Sequence, residues 1–233
     1  MTRDEYIENI FADYSLISVL STKNDGKVLR LRHKKLEKDI VLRSYSHSVC
    51  AYSLLLSIQA SVLPEVYDVI ELEDGQVVLE EFIPGLTVAQ VMETRRYHCV
   101  GAKKVMKALC FALSILHFKG IVHRDIKPEN IIVTPTGRVV LIDLNASRQI
   151  STADKDTVIM GTVGYASPEQ MGITQSDTRT DIYAAGVLFN VMLTGVHPSQ
   201  KIAKGYYGRI VKRCTAINPD DRYQSAKKLA RVL

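Results

Sequence analysis

Residues 121–133 read IVHRDIKPENIIV. Apolar residues at both ends, Ile121-Val122 and Ile131-Ile132-Val133, enclose a polar centre of His123, Arg124, Asp125, Lys127, Glu129 and Asn130. The chain continues as NIIVTPTGRVVLIDLN (130–145), two strand-like runs joined at Pro135-Thr136-Gly137, residues with turn chemistry. This short hairpin ends on a further acid, Asp143.

Upstream, the first third reads mostly as strands. GKVLRLRHKK (26–35) and KDIVLRSY (38–45) alternate and are rich in β-branched residues, and VYDVIELEDGQVVLEEF (66–82) is a hairpin pattern with Asp74-Gly75 at its turn. Between them, SHSVCAYSLLLSIQASVL (46–63) has apolar positions at helical spacing and is stopped by Pro64. After Ile83-Pro84-Gly85 the pattern turns helical. TVAQVMETRRY (87–97) and AKKVMKALCFALSILHFKG (102–120) read as helices, the second closed by Gly120. There is no internal repeat or low-complexity linker. The pattern predicts one α+β domain over 1–233, with a small β-rich lobe over about 1–82 and a larger helical lobe over about 83–233.

The 233 residues are 46% apolar and 24% charged with a net charge of +5, the balance of a globular chain. Much of the basic excess lies between Lys23 and Arg43 and near the C-terminus. It favours anionic partners in general, although most of these lysines read as an ordinary solvated face. Cys50, Cys99, Cys110 and Cys214 are widely separated and form no CxxC pair, a pattern of reduced cytosolic thiols rather than of disulfides or a zinc site. MTRDEYIENIFADY (1–14) is too acidic for a signal peptide, and YAAGVLFNVMLTGV (183–196) is too short, with Asn190 inside it, to span a bilayer. No membrane segment and no nucleic-acid partner are expected; the location expected is cytoplasmic.

With these segments in order, the chain resembles the protein kinase family along essentially its whole length. His123, Arg124, Asp125, Lys127 and Asn130 match the catalytic-loop pattern H-R-D-x-K-x-x-N. GTVGYASPEQ (161–170) resembles the end of an activation segment, with Ser167-Pro168-Glu169 for Ala-Pro-Glu. TDIYAAGVLFNVMLTG (180–195) resembles the central helix of the large lobe, and NPDDRY (218–223) supplies the late Arg222. The resemblance implies a two-lobed kinase fold that transfers the γ-phosphate of ATP, with Mg²⁺, to a protein hydroxyl. Asp125 would then orient the hydroxyl and take its proton, and Lys127 would meet the moving phosphoryl group. Asn130 and Asp143 would hold Mg²⁺ through oxygen, and Asn130 would also face the nucleotide. Gly26, Val28, Lys23, Val41, Arg43, Glu80 and Phe82 would take the remaining nucleotide positions. Asp181 would brace the catalytic-loop backbone, and Glu169 would pair with Arg222. Lys127 and Thr162 imply serine or threonine specificity. Arg124 implies control by a phosphate on the activation segment, with Ser151, Thr152 and Thr157 as candidate acceptors.

The chain departs from the family pattern in several places. Asp143-Leu144-Asn145 replaces Asp-Phe-Gly, where Asn145 can adopt the positive φ that glycine would supply. In the phosphate loop STKNDGKV (21–28), only Gly26 and Val28 match, and Lys23 is either a phosphate ligand or a solvated hairpin tip. Arg43, in IVLR, stands where the family has a lysine. The helix that should carry that lysine's glutamate partner has Ser53 at the aligned position, and no acid occurs between Asp39 and Glu65. Arg43 is therefore expected to lack a carboxylate, meeting phosphate or reaching solvent. Gly195 to Cys214 is short, so the helix after the central one is expected to be reduced or missing. Three readings follow: an active serine/threonine kinase with a remodelled clamp, a pseudokinase acting as an interaction or scaffold module, and a kinase-fold enzyme that transfers another group. The protein substrate and the oligomeric state are left open.

Overall fold

The computed structural model describes residues 1–23, 26–150, 162, 164–171 and 176–233. The described chain divides into two units, 1–60 with 64–83 and 61–63 with 84–233.

The first unit opens on a helix, α1 (Arg3–Ile10). Thr2 and Glu5 close a capping box: the Thr2 hydroxyl accepts from the Glu5 N–H at 3.3 Å, and the Glu5 carboxylate accepts from the Thr2 N–H at 2.9 Å. Strands β1 (Tyr14–Lys23), β2 (Gly26–His33) and β3 (Asp39–Tyr45), helix α2 (Cys50–Leu55), and strands β4 (Val66–Leu72) and β5 (Gly75–Glu81) follow. The five strands form one antiparallel sheet in the order β1-β2-β3-β5-β4. Alternation along the strands gives the sheet two different faces. One packs Leu29, Leu31, Ile40, Leu42 and Val77 around Ile7 of α1. The other carries Val41, Arg43, Tyr45, Gln76, Val78 and Glu80 and receives α2, where Tyr52 stacks on Tyr45 with the two hydroxyls 2.9 Å apart.

Helix α2 is shorter than the apolar spacing over 46–63 suggested. It has no side-chain cap, and beyond Leu55 the residues Ser57, Gln59 and Ser61 interrupt its apolar face. Val62 and Leu63 are buried in the second unit instead, where the Val62 carbonyl accepts from the Leu141 N–H at 2.9 Å. Tertiary burial outweighs helical period here. The turn of the β4–β5 hairpin is also displaced by one residue: Leu72 pairs with Gly75, leaving Glu73-Asp74 at the tip.

The second unit begins with β6 (Leu86–Thr87), α3 (Val88–Thr94) and the long α4 (Cys99–Phe118). Strands β7 (Ile121–Val122), β8 (Ile131–Val133), β9 (Val139–Leu141) and β10 (Arg148–Gln149) make two small sheets, β6-β8-β9 and β10-β7. Helices α5 (Thr178–Thr194), α6 (Gly205–Cys214) and α7 (Ala226–Ala230) complete it. Helix α5 starts at an Asp177 cap, ends at Gly195 with φ +79°, and is buried on nearly every side. Gly186 lets α6 approach, since a Cβ there would stand 2.3 Å from Cys214 Cβ. No helix among the described residues is long and apolar enough to cross a membrane.

The shortened connection after α5 is held by Asn190. Its Nδ2 donates to the Val196 and Lys201 carbonyls at 2.9 and 2.7 Å, and its Oδ1 accepts from the Ala203 N–H at 2.9 Å. Four free cysteines remain: Cys50 and Cys99 are exposed, and Cys110 and Cys214 are buried. Burial pushes the Cys110 thiol up to about 12 and the Cys214 thiol higher still.

Arg222, fully buried, donates Nη1 and Nη2 to Glu169 Oε1 and Oε2 at 2.5 and 2.9 Å and also binds the Ala216, Ile217 and Arg179 carbonyls. Removing one partner of such a pair strands the other charge. Arg222→Ala is expected to lower unfolding free energy by about 3–5 kcal/mol, read by urea denaturation; a loss under about 1 kcal/mol would show the pair to be replaceable.

Candidate active site

In the second unit the polar centre of 121–133 is a loop between β7 and β8, and its shape is imposed from α5. Asp181 is fully buried. Its Oδ2 accepts from the His123 N–H at 2.9 Å and from His117 Nε2 at 2.8 Å, and its Oδ1 accepts from the Arg124 N–H at 2.8 Å. Burial raises the Asp181 carboxyl pKa, but the hydrogen bond and charge of His117 outweigh it and leave the group below the usual carboxylate range. Arg124 takes φ +67°, a left-handed turn for a non-glycine residue, and its carbonyl accepts from Gln170 Nε2 at 2.8 Å.

The turn brings two side chains, Asp125 and Lys127, onto one hydroxyl, that of Thr162. Thr162 Oγ1 donates to Asp125 Oδ1 at 2.6 Å, and Lys127 Nζ donates to the same Oγ1 at 2.9 Å. Lys127 Nζ also lies 2.6 Å from Asp125 Oδ2. Asn130 Nδ2 donates to the Asp125 carbonyl and to Asp125 Oδ2 at 2.9 and 3.0 Å. Partial burial raises the Asp125 pKa, yet hydrogen bonds from Lys127 and Thr162 overcome it, so the carboxylate stays ionised well into acid. A carboxylate ready to accept a proton and a cation beside it are thus held on one side-chain oxygen.

Asp143 is brought to the same loop by the β8–β9 hairpin: the Asn130 carbonyl accepts from the Ile142 N–H at 2.9 Å. Asp143 itself takes φ +66°, whereas Asn145 has no positive φ. The left-handed residue of the triplet is therefore its first, not its third, and Asn145 is not used as a glycine substitute. Asn145 Oδ1 is buried with no hydrogen-bond partner among the described residues. The donors near this turn are amide and carboxylate oxygens. That set suits Mg²⁺, which binds few protein ligands and keeps waters and phosphate oxygens. Among the described residues no three His, Cys, Asp or Glu side chains converge on one metal position.

Arg124 also lines a cavity of about 470 Å³ in this unit, with Arg148, Arg179, Glu169, Asp177 and Asp220. Arg179 is held there by Asp177 and Asp220 at 2.6 and 2.5 Å. The candidate acceptors Ser151, Thr152 and Thr157 lie outside the described residues.

In the first unit, Arg43 corrects the expectation drawn from sequence. It is 6% exposed, so it does not reach solvent, and it does not lack a carboxylate: its Nε donates to Glu80 Oε1 at 2.6 Å. Ser53, the aligned helix position, is exposed on α2. The acid is supplied by a neighbouring strand, because Val41 pairs with Glu80 and places Arg43 diagonally across from it. Val41 is buried on the same face and Val28 is half-buried on β2. Phe82 is half-buried under the Arg30 guanidinium, 4.1 Å from its ring centre. Lys23 ends β1 opposite Gly26. A Cβ on Gly26 would stand 1.6 Å from the Ser44 carbonyl oxygen, so this glycine is required by the β2–β3 approach whatever it does for a ligand.

Sequence reading missed three supporting residues: His117, Gln170, and Glu80 as the partner of Arg43. A long-range contact places the first two, and no local signal marks them. Glu80 was marked by its place in GQVVLEE (75–81), an acid on the alternation of a buried strand.

The family model for the protein kinase domain matches residues 18–231. Serine/threonine-protein kinase PknL of Mycobacterium tuberculosis is 32% identical over 194 residues, 70% of this chain and 48% of that protein. Serine/threonine-protein kinase pkn3 of Myxococcus xanthus is 29% identical over 220 residues, 84% of this chain and 40% of its own length. A probable serine/threonine-protein kinase PknB of Lactococcus lactis is 28% identical over 163 residues, 66% of this chain and 26% of that one. The chain belongs to the protein kinase domain family and spans half or less of the length of these relatives.

Gly26→Ala is expected to lower the melting temperature even without added nucleotide, as differential scanning fluorimetry would read; an unchanged melting temperature without nucleotide would overturn the packing account. Asp125, Asp181 and Glu169 are all depressed in the folded state. Their contribution to stability is present above the unfolded values, about 3.9 for Asp and 4.3 for Glu, and is lost as pH falls through the folded ones. The urea midpoint should therefore fall steeply only below about pH 4. The acid slope should be shallower in Asp181→Asn.

Proposed function

We propose that this member of the protein kinase domain family is an ATP-dependent serine/threonine protein kinase acting with Mg²⁺ on a protein substrate. One observation carries the reading. The Thr162 hydroxyl is held between Asp125 Oδ1, which accepts its proton at 2.6 Å, and Lys127 Nζ at 2.9 Å. A substrate serine or threonine hydroxyl needs the same two contacts. Asp125 orients the hydroxyl and takes its proton as the substrate oxygen bonds to the γ-phosphorus and the bond from that phosphorus to the β-phosphate oxygen breaks, releasing ADP. Lys127 sets positive charge beside the transferred group. Asn130 and Asp143 supply the oxygens that hold Mg²⁺. When bound, the metal neutralises charge on the phosphate oxygens. Arg43 is the phosphate-facing cation of the first unit, with Gly26, Val28, Val41 and Phe82 as neighbours of the nucleotide. Lys23 is a further phosphate contact.

Arg124 is proposed to receive a phosphorylated activation segment, supported by the arginines that share its cavity. The whole of 1–233 acts as one kinase domain, in the cytoplasm; the four free cysteines support that setting. A second reading, a pseudokinase that works by contacts alone, is favoured by one observation: Arg43 is already engaged by Glu80.

Labelled-phosphate transfer to a generic basic protein with ATP and Mg²⁺ separates the two. Wild type should modify serine and threonine, and Asp125→Asn should lower the rate by about 10²–10⁴-fold. Equal signals from the two proteins would assign the activity to a contaminant. A melting-temperature rise with ATP and Mg²⁺ but no transfer would favour the pseudokinase.

A further inference from the structure

Arg43 and Glu80 stand on one face of the first unit's sheet, at 6% and 3% exposure, joined by the Nε–Oε1 bond of 2.6 Å. An ion pair this far from water is a weak source of stability, because desolvating two charges offsets most of their attraction. An apolar pair of similar volume would serve the fold as well. Helix α2, packed on the same face through Tyr52, offers no acid, and its Ser53 is exposed. The pair is instead fixed by strand register: Val41 opposite Glu80, Arg43 opposite Val78.

We propose that Glu80 is a positioning residue, the carboxylate that aims the Arg43 guanidinium at a nucleotide phosphate. This inference rests on the nucleotide-binding part of the reading above. The chemistry of the two cations explains why arginine is used. A guanidinium is a planar fork of five N–H donors, so Nε can serve a carboxylate while the group holds a second anion. An ammonium puts its three donors on one compact centre and lacks the planar fork that sets one edge toward the carboxylate and another toward a phosphate. Because β3 and β5 are hydrogen-bonded neighbours, the aim of Arg43 is set by the sheet and requires no movement of α2.

The experiment measures transfer kinetics against ATP, with Mg²⁺ in excess, for wild type, Glu80→Gln, Glu80→Asp and Ser53→Glu, alongside melting temperatures with and without ATP and Mg²⁺. Glu80→Gln should raise KM for ATP about tenfold and change kcat less than about threefold, since it loosens ground-state phosphate binding. Glu80→Asp, which keeps the carboxylate, should recover most of that loss, and Ser53→Glu should leave KM within about twofold of wild type. If wild type transfers no phosphate, the catalytic reading falls but the inference is still tested: ATP with Mg²⁺ should shift the wild-type melting temperature more than that of Glu80→Gln. Glu80→Gln that melts lower yet keeps the wild-type KM, or the wild-type ATP shift, would reduce Glu80 to a structural residue and overturn the proposal. Absence of any ATP shift in wild type would overturn it as well.

Discussion

One carboxylate, Asp181, decides the geometry of the loop between β7 and β8. Buried in α5, it takes the N–H groups of His123 and Arg124 and a ring nitrogen of His117. Two backbone donors buried without partners would cost about 1–3 kcal/mol each. The loop therefore has one comfortable conformation, and that conformation includes the left-handed Arg124. The strain of such a residue, of order 1–3 kcal/mol, is tolerable because a fully satisfied carboxylate sets it. From this turn follow the placement of Asp125 and its contacts with Lys127, Asn130 and Thr162.

The two units use buried charge differently. In the second, Asp181 and Arg222 are saturated by several partners each and organise backbone. In the first, the Arg43–Glu80 bond joins side chain to side chain across two strands whose ladders are already complete without it. Buried charge that holds backbone in place accounts for itself as architecture. A cross-strand pair of the second kind calls for a chemical reason.

The candidate catalytic loop was legible in the sequence because its polar residues are concentrated in a few consecutive positions flanked by strands. Helix α4, the β8–β9 hairpin and the shortened link after α5 were legible for a similar reason: periodicity and turn residues are local properties. Helix α1 was hidden in a segment read only for its acidity, although Thr2 and Glu5 already spelled a capping box. Helix α2 was overextended because apolar spacing alone cannot tell a helical face from Val62 and Leu63, which are buried in the other unit. The partner of Arg43 was sought on a helix by analogy. It lies 37 positions along the chain, where only strand register joins it to Arg43. At Asp143-Leu144-Asn145 the residue types suggested which position would turn left-handed, but the backbone placed that turn at Asp143.

The distribution of thiols has a practical consequence for watching this molecule work. Cys110 and Cys214 are buried and held protonated, so maleimide reagents pass them by in the folded state. The two exposed thiols fall one in each unit, Cys50 at the start of α2 and Cys99 at the start of α4. The native sequence thus carries a ready pair of attachment points for a donor and an acceptor dye. The distance between its two halves, with and without a nucleotide, is open to direct measurement without engineering a single residue.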